Sequence, residues 1–190
     1  MENKNIIPLE GPGVFLEPIK LQDVNQEYVS WLNNPSVNRY LEIRFFPQTE
    51  KTVFEYVSSF INTDGKYMWA VREKINSAML GTITLITNTV HLTGGIGTMI
   101  GNQNAWGTLA SKNMCPLVIE FAFNTLKLRR IVAHNMAANR QSNFMLQNLG
   151  FKLEGVLRKE YRLSMEEDIF VDGFNFALLK EEWDKKKSIK

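Results

Sequence analysis

The chain changes its hydrophobic period part-way along, and that change restricts its fold more than any other feature. From Tyr67 to Glu73, Met79 to Asn88 and His91 to Gly101 the residues carry the short alternation of strands, joined by turn-rich pieces such as Asn76-Ser77 and Thr93-Gly94-Gly95. Side chains of a strand point to alternate faces, so three such runs in succession predict an antiparallel meander. Past Trp106-Gly107 the spacing becomes helical, with Met114, Leu117, Val118, Phe121 and Ala122 on one stripe. A strand, Arg130 to Asn135, then leads to a helix, Arg140 to Leu149, which Asn139 can cap at its start and Gly150 at its end. Two closing strands follow, about Phe151 to Leu163 and Phe170 to Leu179.

Ahead of the meander, Val14 to Pro18 alternates as a first strand. A helix is predicted from an Asp23 cap to Leu32, stopped by Asn33-Asn34-Pro35, and a shorter helical piece from Val37 to Leu41. After a loop from Glu42 to Gln48, Thr49 caps a helix whose Val53, Tyr56, Val57, Phe60 and Ile61 share a buried face; Asn62 to Gly65 end it. This order predicts an α/β or α+β single domain built on one mixed sheet with helices on its faces. At 190 residues, 44% of them hydrophobic and 22% charged, the chain suffices for one core and not for two ordinary domains. The expected division is a lead-in at 1–13, the domain at 14–183 and a basic tail at 184–190.

The net charge is only +2, and the lysine-rich end from Lys180 to Lys190 reads as a solvated tail rather than a nucleic-acid site. Met1 to Pro12 mix Glu2, Lys4 and Glu10 around a short apolar pair, unlike a signal peptide, and no stretch reaches membrane-spanning length. One cysteine, Cys115, and two isolated histidines argue against a disulfide or zinc framework. The expectation is a cytoplasmic protein with metal-free chemistry.

The stretch from Ile96 to Phe123 is the most informative about chemistry. A strand ends in a polar loop, Asn102 to Trp106, and a helix opens at Gly107, offering unpaired backbone N–H groups to an anion such as a pyrophosphate. Gly95, Gly97 and Gly101 lack the dinucleotide-binding spacing, and no helix follows them directly, so a Rossmann site is rejected.

From about Phe15 to Trp183 the chain resembles the GNAT superfamily of N-acetyltransferases, and within it the branch of ribosomal-protein N-terminal acetyltransferases and amino-sugar acetyltransferases. The resemblance lies in the order and spacing of Met99-Ile100-Gly101, Ala105-Trp106-Gly107, Glu120-Phe121-Ala122-Phe123, Leu128-Arg129-Arg130-Ile131, Asn139-x-x-Ser142, Leu149-Gly150-Phe151, Leu153-Glu154-Gly155 and the close from Asp172 to Trp183. It implies a sheet of about seven strands with splayed middle strands and about four helices, and acetyl-CoA as co-substrate with no metal. The pantetheine arm would lie between the strands at His91 to Gly101 and Arg130 to Asn135, near Met99, Ile100 and Gly101. Asn104, Trp106, Gly107, Thr108, Leu109, Ala110 and Ser111 would wrap the pyrophosphate, and Asn139 with Ser142 would hold the arm from the other side. Asn104 and Leu109 depart from the family's phosphate loop, and Leu146 stands where a tyrosine often protonates the departing thiolate. Ser142 is left as the nearby hydroxyl.

Glu42 is the candidate base or amine-orienting group, with an ion pair to Arg44 as the plainer reading. Arg39, Glu42 and Arg44 form the candidate acceptor site. The expected acceptor is a small-molecule amine, an amino sugar carried on a nucleotide, because the segment from Trp31 to Glu42 resembles the N-terminal region of GNAT enzymes that act on surface-polysaccharide amino sugars, or else a protein N-terminus; a CoA-binding module without turnover is the alternative of another class. Neither a membrane nor a nucleic acid is expected as partner, and a homodimer is compatible with the reading. Cys115, beside Pro116, reads as a packed residue, not a nucleophile. His134 reads as packed or solvated, and Trp31 and Trp106 as packing side chains.

Overall fold

The computed structural model describes residues 6–188 and shows one eight-stranded sheet in the order β1-β2-β3-β4-β5-β6-β8-β7. The strands are β1 (Leu9–Gly11), β2 (Val14–Pro18), β3 (Lys66–Glu73), β4 (Met79–Asn88), β5 (Thr93–Ile100), β6 (Arg130–Met136), β7 (Lys152–Arg162) and β8 (Phe170–Leu179). The helices are α1 (Gln26–Asn33), α2 (Pro35–Asn38), α3 (Glu50–Ile61), α4 (Leu109–Glu120), α5 (Arg140–Leu149) and α6 (Lys180–Ser188). This is the α+β fold read from the sequence, and the meander β3-β4-β5 pairs antiparallel throughout.

The pattern of each element decides which face it covers. Val53, Val57 and Phe60 of α3 are buried with Tyr28, Trp31 and Leu32 of α1 against Met68, Ala70 and Met99, so α1 and α3 cover one side of the sheet. On the other side, Met114, Cys115, Val118 and Ile119 of α4 pack with Leu146 of α5 and Trp183 of α6 over Trp69, Ile83, Leu85 and Ile131. Pro116 falls inside α4, where it cannot donate to a carbonyl one turn back, and a π-turn over Phe121–Thr125 follows that helix.

Four expectations are corrected. The lead-in supplies a strand: Leu9–Gly11 pairs with β2, and Trp69 donates its indole N–H to Ile7 O at 2.8 Å, while residues 1–5 of that segment lie outside the described residues. Three residues carry too little alternation to be read alone. The basic tail is helical as far as Ser188, with 189–190 outside the described residues. Glu182 accepts from Leu179 N at 3.0 Å and the buried Trp183 donates to Glu120 Oε1 at 2.9 Å, while Lys185, Lys186 and Lys187 fall in the last turn, where positive charge suits the helix dipole. The first helix is capped by Asn25, which accepts from Tyr28 N at 2.9 Å, because Asp23 is drawn to Arg72 at 2.5 Å. The turn between β4 and β5 lies at residues 89–92, with Leu92 at φ 51, not at Thr93-Gly94-Gly95.

One feature of the sheet positions the site. Among the described strands β5 and β6 are the only parallel neighbours, and they pair over three residues: Thr93 with Arg130, Gly94 with Ile131 and Gly95 with Val132. Beyond Gly95 β5 stays on β4 while β6 stays on β8, so the two strands part in the middle of the sheet.

Candidate active site

The gap between β5 and β6 exposes main-chain groups that a continuous sheet would have paired. Gly101 N donates to Leu80 O at 2.9 Å, and alternation along the β4–β5 ladder then turns the main-chain groups of Met99 towards β4 and those of Thr98 and Ile100 towards the gap. Of the three residues expected beside the pantetheine arm, Ile100 has its N–H free to meet a ligand, whereas the amide of Gly101 is committed to β4. Gly101 has a packing role as well: a Cβ there would lie 2.0 Å from Trp31 Cδ2, so the indole occupies the space that the glycine leaves.

The loop after β5 forms a short turn over Gln103–Ala105 and leads into α4. Asn104 is exposed, with its N–H donated to Asn102 Oδ1 at 3.0 Å, and Trp106 fixes the loop by donating its indole N–H to Ile100 O at 3.0 Å. Gly107 has φ 74 and nothing within 4 Å of where a Cβ would stand, so it meets a left-handed turn and leaves open space at the helix entrance. Thr108 is the N-cap residue, yet its hydroxyl donates to Ala105 O at 2.7 Å and caps no amide. The first intrahelical bond is Lys112 N to Thr108 O, so the N–H groups of Leu109, Ala110 and Ser111 point out of the helix start without a helical acceptor. No acidic residue lies in this first turn, which leaves the positive end of the dipole uncancelled. Leu109 is exposed with its Cβ towards Gly13, Ala110 is buried, and the Ser111 hydroxyl donates to Thr108 O at 3.0 Å. These residues fit a diphosphate: its charged oxygens need donors, and amides are what the turn presents.

Across the gap, Asn139 caps α5 by accepting from Ser142 N at 3.3 Å. Ser142 Oγ accepts from Asn135 Nδ2 at 2.9 Å, which leaves its own hydroxyl proton to be donated elsewhere. Asn135 also donates to Asn143 Oδ1 at 3.1 Å, and the buried Asn143 donates to Met136 O at 3.2 Å and Ala137 O at 3.1 Å. Asn135 and Asn143 were not read from the sequence. The signal was there for Asn143, which lies three residues before the buried Leu146 on the apolar stripe of α5, where an amide needs partners. Leu146 itself is core, so no phenol stands at that position.

On the α1–α3 side a cavity of about 460 Å³ reaches β5 at Gly97, Thr98 and Met99, where the strand leaves β6. Its walls come from α1 and α3, through Tyr28, Leu32, Val53 and Tyr56, and its floor includes Thr82 and Thr84 of β4. Glu42 lines it with its side chain 65% exposed, 3.4 Å from Arg44 Nη1. Burial pushes the Tyr28 phenol above its ordinary value, despite a hydrogen bond with Thr82 that acts the other way, so Tyr28 stays protonated and is no base. Tyr56, expected on the buried face of α3, instead stands half exposed at the cavity wall.

Neither arginine expected beside Glu42 lines the cavity, although the expected ion pair between Arg44 and Glu42 is present. Arg44 has only 9% of its side chain exposed and donates to Leu41 O at 2.8 Å and to Arg162 O at 2.6 Å, with Phe45 under its guanidinium. It fastens the loop at 41–45 to the end of β7. Arg39 is exposed, with its guanidinium 5.3 Å from the centre of the Tyr40 ring. His134 pairs across the sheet with Asn175 Oδ1 at 2.5 Å. Cys115 is buried and its thiol is pushed up to about 12, so it is no thiolate near neutrality.

A family model for an acetyltransferase (GNAT) domain matches residues 14–152. The chain belongs to the GNAT family. It is 24% identical over 168 residues to a probable N-acetyltransferase, YjcK, of Bacillus subtilis (strain 168), covering 82% of this chain and 90% of that one. A structure described as an acetyltransferase from T. thermophilus superposes with a TM-score of 0.78 at 29% identity, over 97% of this chain and 95% of the other. The fold is also that of a spermidine N-acetyltransferase from Vibrio cholerae solved with CoA and spermine, with a TM-score of 0.79 at 18% identity over 91% and 99% of the two chains. This GNAT chain is thus an acetyl-CoA-dependent N-acetyltransferase. Among its described residues no helix is long and apolar enough to cross a membrane.

Proposed function

We propose that this GNAT enzyme acetylates a primary amine delivered through the cavity at Glu42 to the point where β5 leaves β6. The observation that carries this reading is the meeting of two openings on one strand: the cavity ends at Gly97, Thr98 and Met99, and the main-chain groups of Thr98 and Ile100 face the gap between the strands. The amides of Leu109, Ala110 and Ser111, with Gly107 and its neighbours Asn104, Trp106 and Thr108 shaping the turn, take the diphosphate. The N–H of Ile100 donates to the thioester carbonyl oxygen, where negative charge develops. Glu42 accepts the ammonium proton, directly or through water, the freed lone pair attacks the carbonyl carbon and the C–N bond forms; as the C–S bond breaks, the second proton of the now cationic nitrogen passes to the departing thiolate, leaving the neutral amide and the CoA thiol. Ser142, oriented by Asn135, donates a hydrogen bond to the departing thiolate. Holding the two reactants side by side supplies much of the rate.

The finer acceptor readings are an amino-sugar nucleotide, a protein N-terminus and, from the Vibrio cholerae neighbour's spermine, a polyamine. Neither Arg39 nor Arg44 is among the residues that line the cavity, so the basic pocket expected for a sugar nucleotide does not form there. A cytoplasmic setting suits the single free cysteine, Cys115.

Calorimetry with acetyl-CoA tests the cofactor site. Micromolar binding to the wild-type chain, weakened tenfold or more by Gly107→Val, is expected, since a branched side chain is disfavoured at φ 74 and would fill the helix entrance. A folded wild-type chain that binds no acetyl-CoA overturns the reading.

A further inference from the structure

From the charge and lining of the cavity we infer that the acceptor is a monoamine with an apolar, ring-sized body and no phosphate or carboxylate, an arylalkylamine in type. The inference rests on the catalytic reading above and narrows it.

Among the described residues lining the cavity Glu42 alone is charged. Its carboxylate meets Arg44 Nη1 at 3.4 Å through one oxygen, which leaves the other for one ammonium. Around it the walls are aliphatic or aromatic, with Leu32, Leu41, Ile43 and Val53 beside the rings of Tyr28 and Tyr56. The neutral polar groups lie in two places: Thr82 and Thr84 on the sheet side, where the Thr84 hydroxyl already donates to Gly97 O at 3.3 Å and Thr82 is buried, and Gln48 with Thr52 at the start of α3, where the Thr52 hydroxyl donates to Gln48 Oε1 at 3.2 Å. The floor at β5, where the nitrogen must arrive, is therefore polar, and the walls are apolar except at Gln48 and Thr52, whose polar groups are already hydrogen-bonded to Phe46 O and to each other. At about 460 Å³ it lies within the usual range for small-molecule sites.

The competing acceptors fail on charge. A phosphate or carboxylate drawn into this space would lose its hydration with no cation to replace it, and an unpaired buried anion is strongly disfavoured. Arg44, the nearest guanidinium, is held by Leu41 O, Arg162 O and the Glu42 carboxylate, and turning it inward would break the bond to Arg162 O that fastens the loop carrying Glu42. A second ammonium, as on a polyamine, would find no second carboxylate among the described lining residues. An apolar ring has the opposite balance, since it exchanges water for the tyrosine rings and aliphatic walls.

The test is thiol release from acetyl-CoA by the purified chain with four acceptors at equal concentration: tryptamine, spermidine, a uridine-diphosphate-linked amino sugar and a peptide with a free N-terminal serine. Calorimetry with acetyl-CoA alone runs beside it. The expected result is a kcat/KM for tryptamine at least tenfold above the other three, lowered tenfold or more by Glu42→Gln while the affinity for acetyl-CoA is unchanged. Faster turnover of any other acceptor, or none with any of the four by a chain that binds acetyl-CoA, overturns the monoamine inference and leaves the cofactor site standing. Loss of acetyl-CoA binding in the folded wild-type chain overturns the catalytic reading instead.

Discussion

Replacing Gly101 by alanine should damage the fold before it damages cofactor binding. The residue is not at positive φ, so the backbone tolerates a Cβ, but the added methyl would lie 2.0 Å from Trp31 Cδ2, 2.2 Å from Cε3 and 2.4 Å from Cγ. Carbon atoms in contact sit about 3.5–4.0 Å apart, so the indole must retreat by roughly 1.5 Å. It has little room: Trp31 is 8% exposed and packs 6.2 Å from the Tyr28 ring on the same helix. Overpacking of this kind costs about 1–3 kcal/mol, and a rigid buried ring places it at about 3 kcal/mol. For a chain of this size each kcal/mol moves Tm by about 2–4 °C, so Gly101→Ala should melt about 6–12 °C below wild type in a circular-dichroism scan. The cause is separable by a double-mutant cycle. In a Trp31→Ala background the methyl enters vacated space, and its cost should fall below about 0.5 kcal/mol in urea unfolding. A single variant that melts within about 2 °C of wild type yet binds acetyl-CoA tenfold more weakly would refute the packing argument and make this glycine a cofactor contact.

Two further predictions concern the polar supports of the site. Asn143→Ala removes both amide bonds to Met136 O and Ala137 O and one acceptor of Asn135, and should cost about 1–3 kcal/mol by denaturant unfolding; a smaller loss than about 0.5 kcal/mol would show that those carbonyls find other donors. Glu17 is held below its ordinary 4.5 chiefly by the Lys20 hydrogen bond, with Arg72 adding to it against the effect of burial. A lowered carboxylate contributes stability that is present above 4.5 and is lost as pH falls through the lowered value, so Glu17→Gln should cost about 0.2–1 kcal/mol at pH 7 and nothing once both states are protonated. A deficit that persists at about pH 2 would assign the effect to packing.

Elements with strong local signals were legible in the sequence. The limits of β2, β4 and α5 follow from alternation or from a cap pair, Asn139 and Gly150, that acts within one turn of its own residue. What was missed depends on residues distant in the chain. Asp23 looks like a cap until Arg72, 49 positions away, claims its carboxylate and leaves the role to Asn25. Arg44 looks like a free guanidinium beside Glu42 until Arg162, 118 positions away, supplies a carbonyl. Such competitions are decided by tertiary distance, to which periodicity is blind.

The same reasoning explains why the cofactor side of the site was easier to read than its support. A glycine at a helix entrance is a local mark, and Gly107 bears it out in its geometry, with φ 74 and open space where a Cβ would stand. The gap between β5 and β6 has no such mark, because parting two strands is a property of the pairing and not of either strand. The carbonyls at and just beyond the end of β6 must still be satisfied, because a buried carbonyl left alone is costly. Met136 O accepts from Asn139 N at 3.0 Å, and Asn143 adds its side-chain amide, which donates to both Met136 O and Ala137 O. Its oxygen then accepts from Asn135, whose amide reaches Ser142 Oγ as well. One asparagine network thus ties the end of β6 to α5 and holds the Ser142 hydroxyl, so the groups that fix the chain where the strands part are also those that orient Ser142.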